Sequence, residues 1–209
     1  MIQDAEFVLN QARMYLNDMN IQLWDDSTLM PMLQQAHREL QVQMRQSAAP
    51  IMRGYYSEPI SIEQDSFANP PNDLIQPIQL WSSPTPNFVA PNLMTEMIDL
   101  PDPSLVNNPL LSIWSFAEQL VRWVPISTTS NVLMIYQRSL PLPAAAGDSI
   151  SFIEGELWLG PRTAAIAMGT VGEENTSSTA AQNATEWLSA VILANRGRAP
   201  QAQSNSNRP

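Results

Sequence analysis

Cysteine and lysine are both missing from the 209 residues, and each absence removes chemistry. Without cysteine there is no disulfide, no thiolate nucleophile and no cysteine-based zinc site. Without lysine all ten basic residues are arginine. Codon bias accounts for that plainly; the functional account is that arginine is favoured at protein interfaces. Seven glycines leave little room for tight backbone approach to a ligand, and there is no phosphate-cradling glycine loop. Neither a G-x-S-x-G elbow nor an H-E-x-x-H pair occurs. The one histidine, His37, stands beside Arg38 and off the apolar stripe of its segment, so a solvated surface imidazole is expected. No apolar run reaches the roughly 18–20 residues that cross a bilayer. The opening Met1-Ile2-Gln3-Asp4 lacks the basic, then apolar pattern of a signal peptide, so folding in a cytoplasm is expected.

What is present is acid and apolar surface. Hydrophobic residues make up 44% of the chain, enough for a real core. The net charge is −10, unevenly spread. From Gly54 to Val121 there is no basic residue but eight acids: Glu58, Glu63, Asp65, Asp73, Glu96, Asp99, Asp102 and Glu118. Proteins that grip DNA neutralise phosphates with cations, so this stretch argues against a DNA-gripping surface. Seven of them, Glu58, Glu63, Asp65, Asp73, Glu96, Asp99 and Asp102, are candidates for a channel lining or a tail-facing surface. The last 23 residues carry Arg196, Arg198 and Arg208 and no acid, and these arginines are candidates for partner binding. Arg196 and Arg198 could equally complement a helix C-terminus. The carboxylate pairs Asp25/Asp26, Glu154/Glu156 and Glu173/Glu174 stand in polar or capping contexts that do not raise a carboxyl pKa, so no catalytic residue, metal site or cofactor is expected.

Periodicity predicts helices at both ends. Ala5, Val8, Leu9, Ala12, Tyr15, Leu16 and Met19 share one face. After a short link, Trp24 to Thr28 supplies capping side chains for a second helix ending near Gln46, with Pro31 expected in its first turn. Eleven of the eighteen prolines fall between Pro50 and Pro109, which excludes long helices there. Short strands are expected around Ile60 and from Leu74 to Trp81, where Pro77 implies an edge or a bulge. Asn131 to Tyr136 reads as a buried strand, whereas Leu111 to Val124 fits either a helix or two strands. Helices return over 153–168, with Gly160-Pro161 as a kink or restart, and again from Ala180 through Trp187, Leu188, Val191 and Ile192. Trp187 is expected in the core. The expected architecture is α+β: a four-helix bundle of two helical hairpins carrying an inserted proline-rich β lobe. Residues 1–49 form the first hairpin, 50–148 the lobe, 149–197 the completing helices, and 198–209 an extended C-terminal arm.

Taken in order, four blocks resemble the head–tail adaptor (connector, head-completion) proteins of tailed double-stranded-DNA bacteriophages. They are Ala12 to Asp18 followed by Trp24 to Leu40; Pro71 to Trp81; Trp114 with Leu120-Val121-Arg122-Trp123 and the run Val132 to Tyr136; and Thr163 to Ala167 leading into the last helix. The long loop from Ser82 to Asn108 departs from the family pattern. The resemblance favours strands over helix for Leu111 to Val124. It implies a non-enzymatic virion protein, made in the host cytoplasm and placed at the head–tail junction. Such a protein forms a ring, typically of twelve copies, that docks under the portal and meets tail or nozzle proteins. Genomic DNA passes through without sequence-specific binding, and no membrane is involved. The alternative is another virion module, such as a tail-attachment or receptor-facing binding protein.

Overall fold

The computed structural model describes residues 3–102 and 111–196. The chain divides into a helical unit, built from the segments before Arg53 and after Ser139, and a strand-rich unit, Arg53–Ser139. The strand-rich insertion is narrower than the 50–148 expected. Met52, Leu140, Ile150 and Phe152 all join the core of the helical unit, which draws the flanking segments into it.

In the helical unit, α1 spans Ala5–Leu16 and buries Val8, Leu9, Ala12 and Leu16. Asp4 caps it by accepting from the Phe7 N–H at 2.9 Å, and Asn17 ends it in the left-handed conformation (φ 55°). Helix α2 spans Asp26–Gln46, with Asp25 as its cap through the Thr28 N–H at 2.7 Å. Because the cap is Asp25, Pro31 falls in the second turn rather than the first, and the ladder lacks the bond it would have made to the Ser27 carbonyl. The link between the helices is fastened by two buried polar side chains. Asp18 accepts from the backbone N–H groups of Gln22, Leu23 and Trp24. Arg13 donates to the Trp24 carbonyl at 2.9 Å and to Asn10 at 2.8 Å, and pairs with Asp26.

Helices α3 (Glu156–Thr170) and α4 (Glu174–Arg196) follow the strand-rich unit. Helix α3 runs through Gly160-Pro161 as one element. Helix α4 starts earlier than the Ala180 expected, and the Ser178 and Thr179 hydroxyls bond the Asn175 carbonyl within its first turns. The four helices do not form the four-helix bundle expected. Helix α3 packs against α1, α2 and α4, while α1 and α2 make little contact with each other and α2 does not run against α4. The reason lies in α3 itself. Trp158, Leu159, Pro161, Thr163, Ala164, Ala165 and Ala167 are buried around its circumference, and a helix apolar on all sides takes a central place. Gly160 lets α1 come close, since a Cβ there would meet the Gln11 side chain at 2.7 Å. Helical periodicity tells which face is apolar but not which neighbour covers it.

The strand-rich unit contains β1 (Arg53–Ile60), β2 (Leu74–Ser83), β3 (Asn92–Leu93), β4 (Thr95–Glu96), β5 (Ile113–Ala117), β6 (Leu120–Trp123) and β7 (Ser130–Arg138). One sheet has the order β1-β7-β2-β3 and the other β4-β5-β6. Strand β7 sits between β1 and β2, both antiparallel to it, and buries Val132, Met134 and Tyr136. Strand β2 is irregular on both sides of Pro77, with register shifts between Leu74 and Gln76 and between Pro77 and Gln79. The ambiguous segment forms the hairpin β5–β6, pairing Trp114 with Trp123. Its core joins Ile60, Phe67, Leu80, Met94, Leu111 and both tryptophans, with Phe67 edge-on to Trp123 at 5.0 Å.

Candidate interaction surfaces

The seven candidate acids fall into two groups. Glu58 and Asp73 are half-buried and engaged within the fold. The Glu58 carboxylate accepts from the Tyr56 hydroxyl (2.5 Å), the Ala68 N–H (3.0 Å) and the Gln64 amide (3.3 Å), fastening the loop after β1. Burial works to raise the Glu58 carboxyl, but these hydrogen bonds outweigh it and hold the group below its ordinary range. Burial, then the Glu58 hydrogen bond, pushes the Tyr56 hydroxyl up to about 12. Asp73 accepts from Tyr136 at 2.9 Å, and burial followed by that bond puts the Tyr136 hydroxyl at about 12 as well. Glu63, Asp65, Glu96, Asp99 and Asp102 are exposed, as is Glu118 at the β5–β6 turn (φ 52°). Acidity alone does not separate these roles in the sequence. Glu58 and Asp73 are set apart by half-burial and by donors brought from other parts of the fold, Ala68 and Gln64 for Glu58 and Tyr136 for Asp73.

Exposed apolar side chains accompany the exposed acids. Strand β4 lies parallel to β5, pairing Thr95 with Ile113 and Glu96 with Trp114, and the Met97 N–H continues the ladder to the Trp114 carbonyl at 2.8 Å. That pairing buries Met94 and turns Leu93, Met97 and Ile98 outward, Ile98 being 93% exposed. Val89 is exposed as well. Apolar residues alternating with Glu96 and Asp99 on an exposed segment are what a protein-docking surface presents. The acids of this segment are legible in the sequence, whereas the outward turn of the apolar residues between them is a product of the fold.

Of the three candidate arginines, Arg196 closes α4, and its guanidinium donates twice to the Ser47 carbonyl, at 3.1 and 3.3 Å. It thereby ties the end of α4 to the C-cap of α2, as a cation suits a helix C-terminus. Arg198 and Arg208 lie outside the described residues, as does the whole 198–209 arm.

His37 is not the surface residue expected: none of it is exposed. Its ring packs on Phe152 at 5.0 Å, and its Nδ1 lies 3.1 Å from the Gln41 amide nitrogen. Gln41 in turn holds the backbone of Leu140 through both amide atoms, each at 3.0 Å. The His37 Nε2 has no partner among the described residues. Burial drops its pKa to about 4, so the imidazole is neutral. The signal missed was tertiary, since Phe152 is far away in sequence. Trp187, expected in the core, is exposed; α4 buries Ala180, Ala184, Val191 and Asn195 instead.

Between α2, α3 and α4 lies a groove of about 390 Å³, lined by Val42, Trp158, Ala181, Ala184 and Leu188. Glu39 and Arg162, paired at 2.7 Å, stand at its edge. Among the described residues no cluster of three or more histidine, aspartate or glutamate side chains could hold a metal ion. No described helix is long and apolar enough to cross a membrane. Comparison with protein-family models and with curated proteins found no match.

Proposed function

We propose that this chain is a non-enzymatic structural protein of a tailed-phage virion, a head–tail adaptor that assembles as a ring beneath the portal. In this role it extends the DNA channel and offers the tail, or nozzle proteins, a surface to attach to. The observation that carries the reading is the exposed segment 93–99 of the strand-rich unit, where Glu96 and Asp99 stand among the outward-facing Leu93, Met97 and Ile98. Such a surface suits docking to a protein and repels phosphate, which lets DNA pass without being held. The order of the four sequence blocks supports the same reading. In the ring, Glu63, Asp65, Glu96, Asp99 and Asp102 face the channel or the tail. Arg198 and Arg208 reach a carboxylate-bearing partner, the portal or a neighbouring copy. The test is to mix the purified chain with its portal and image the product. A ring of adaptor density under the portal is expected. Failure to join portal in any ratio sinks the proposal, and a ring whose acids all point outward to bulk solvent sinks the channel role. The exposed tip at Ile98 equally suits a tail-attachment or receptor-facing module, and capture of a tail component without portal would favour that second reading.

A further inference from the structure

The helical unit carries two exposed apolar features, a groove and a helix face. The first is the groove, which exists because α2 and α4 both pack on α3 and make little contact with each other. Ala181 and Ala184 face the gap with side chains too small to fill it, so Trp158, Val42 and Leu188 line an open hollow. The second is a ridge. Phe7, Met14 and Tyr15 stand at i, i+7 and i+8 on α1 and are exposed, Met14 by 64%. These residues supply the first and last anchors of a helix that docks in another protein's groove, with the polar Asn10 and Gln11 between them.

The two features lie on opposite sides of α3. Trp158 and Arg162, four residues apart, face the groove. Gly160, which meets Gln11 of α1, is two residues from each and therefore about 200° around the helix. A single copy cannot place its own ridge in its own groove. Charge is complementary as well. Arg162 uses only its Nε on Glu39, leaving both terminal nitrogens without a partner among the described residues. Arg38 is exposed one turn before Val42. On the ridge, Glu6 is exposed beside Phe7.

We propose that the α1 ridge of one copy docks in the α2–α3–α4 groove of the next, Glu6 meeting Arg162 and Arg38. Because ridge and groove are different surfaces, the contact is head-to-tail and repeats from copy to copy. It closes as a ring where the rotation allows and runs on as a filament where it does not. The proposal deepens the adaptor reading by naming the contact between copies, but its test needs no portal.

The experiment uses the full chain with Tyr15→Glu on the ridge and, separately, Val42→Glu on the groove wall, followed by sedimentation over a concentration series. Both residues are exposed, so circular dichroism matching the wild type is expected; Met14→Gln and Val42→Gln serve as milder versions. The wild type should form species larger than a monomer, and each variant alone should remain monomeric. An equimolar mixture of the two variants should form a dimer and stop there, since one intact ridge and one intact groove remain. Variants that assemble like the wild type would overturn the proposal, as would a mixture that stays monomeric or grows past the dimer. A wild type that is monomeric at every concentration would overturn it too. Retained portal binding by these variants would leave the adaptor reading standing while the copy-to-copy contact fell.

Discussion

His37 sits between Phe152 and Gln41 with its Nε2 meeting no acceptor among the described residues, an arrangement that favours the neutral ring. Its folded pKa of about 4 lies below the unfolded value of 6.5. A lowered value means that the unfolded chain binds the proton first. The contribution of His37 is therefore complete above pH 6.5, is lost as pH falls from 6.5 to 4, and is level below that. The gap corresponds to about 3 kcal/mol at most. Urea unfolding at pH 7.5 and pH 4.5 should show a loss of that order, and His37→Leu should remove most of it. An unchanged loss in the variant would assign it to other groups. The lowered carboxylates act in more acid solution: Asp18 and Asp148, held by backbone N–H groups, and Asp25, held by the Thr28 and Ser27 side chains, below 3.8, and Glu58 below 4.5. Gln41 gives the site its structural reach. Through it, His37 bears on Leu140, the first residue after the strand-rich unit.

Among the elements, the pairing of β1 with β7 depends on one small residue. Gly54 is opposite Tyr136, and a Cβ at position 54 would overlap the phenol ring. The ring cannot swing away freely, since its hydroxyl is held by Asp73 and the side chain is buried. Gly54→Ala should therefore destabilise the protein by about 1–3 kcal/mol, the usual range for overpacking. Gly147→Ala is the control, because a Cβ there meets nothing within 4 Å. Thermal melts decide it: equal melting temperatures for the two variants would show that Tyr136 adjusts at no cost. At the same scale, α3 was legible as apolar from Trp158 to Ala167, but the sequence offered no way to see that three helices would share it.

For the molecule as a whole, the two units have separate cores. The helical core draws on Leu9, Leu33, Leu40, Leu159 and Val191, and the other on Leu80, Trp114, Trp123, Val132 and Met134. Since the strand-rich unit is one continuous stretch with its own two sheets, residues 53–139 expressed alone should keep a β spectrum and unfold cooperatively. A non-cooperative melt with loss of near-ultraviolet signal would show that it depends on the rest of the chain. The head-to-tail contact proposed above belongs to this scale as well, because neither ridge nor groove has meaning except against a second copy.

Local chemistry made some of this legible from the sequence. Capping by Asp25, helical stripes on α1 and α2, bulging of a strand at Pro77 and a buried strand at Val132 to Tyr136 each depend on neighbours within a few residues. The one-signed charge of the stretch from Gly54 to Val121 is likewise a property of composition. Tertiary structure alone decided the rest. It buried His37 under Phe152, exposed Trp187, turned Glu58 inward onto the Ala68 and Gln64 donors, and set α3 at the centre of the helical unit. Each of these outcomes depends on which apolar face meets which. Hydrophobic burial is non-directional, so a sequence pattern names the faces that must be covered and leaves their partners to the packing of the whole chain.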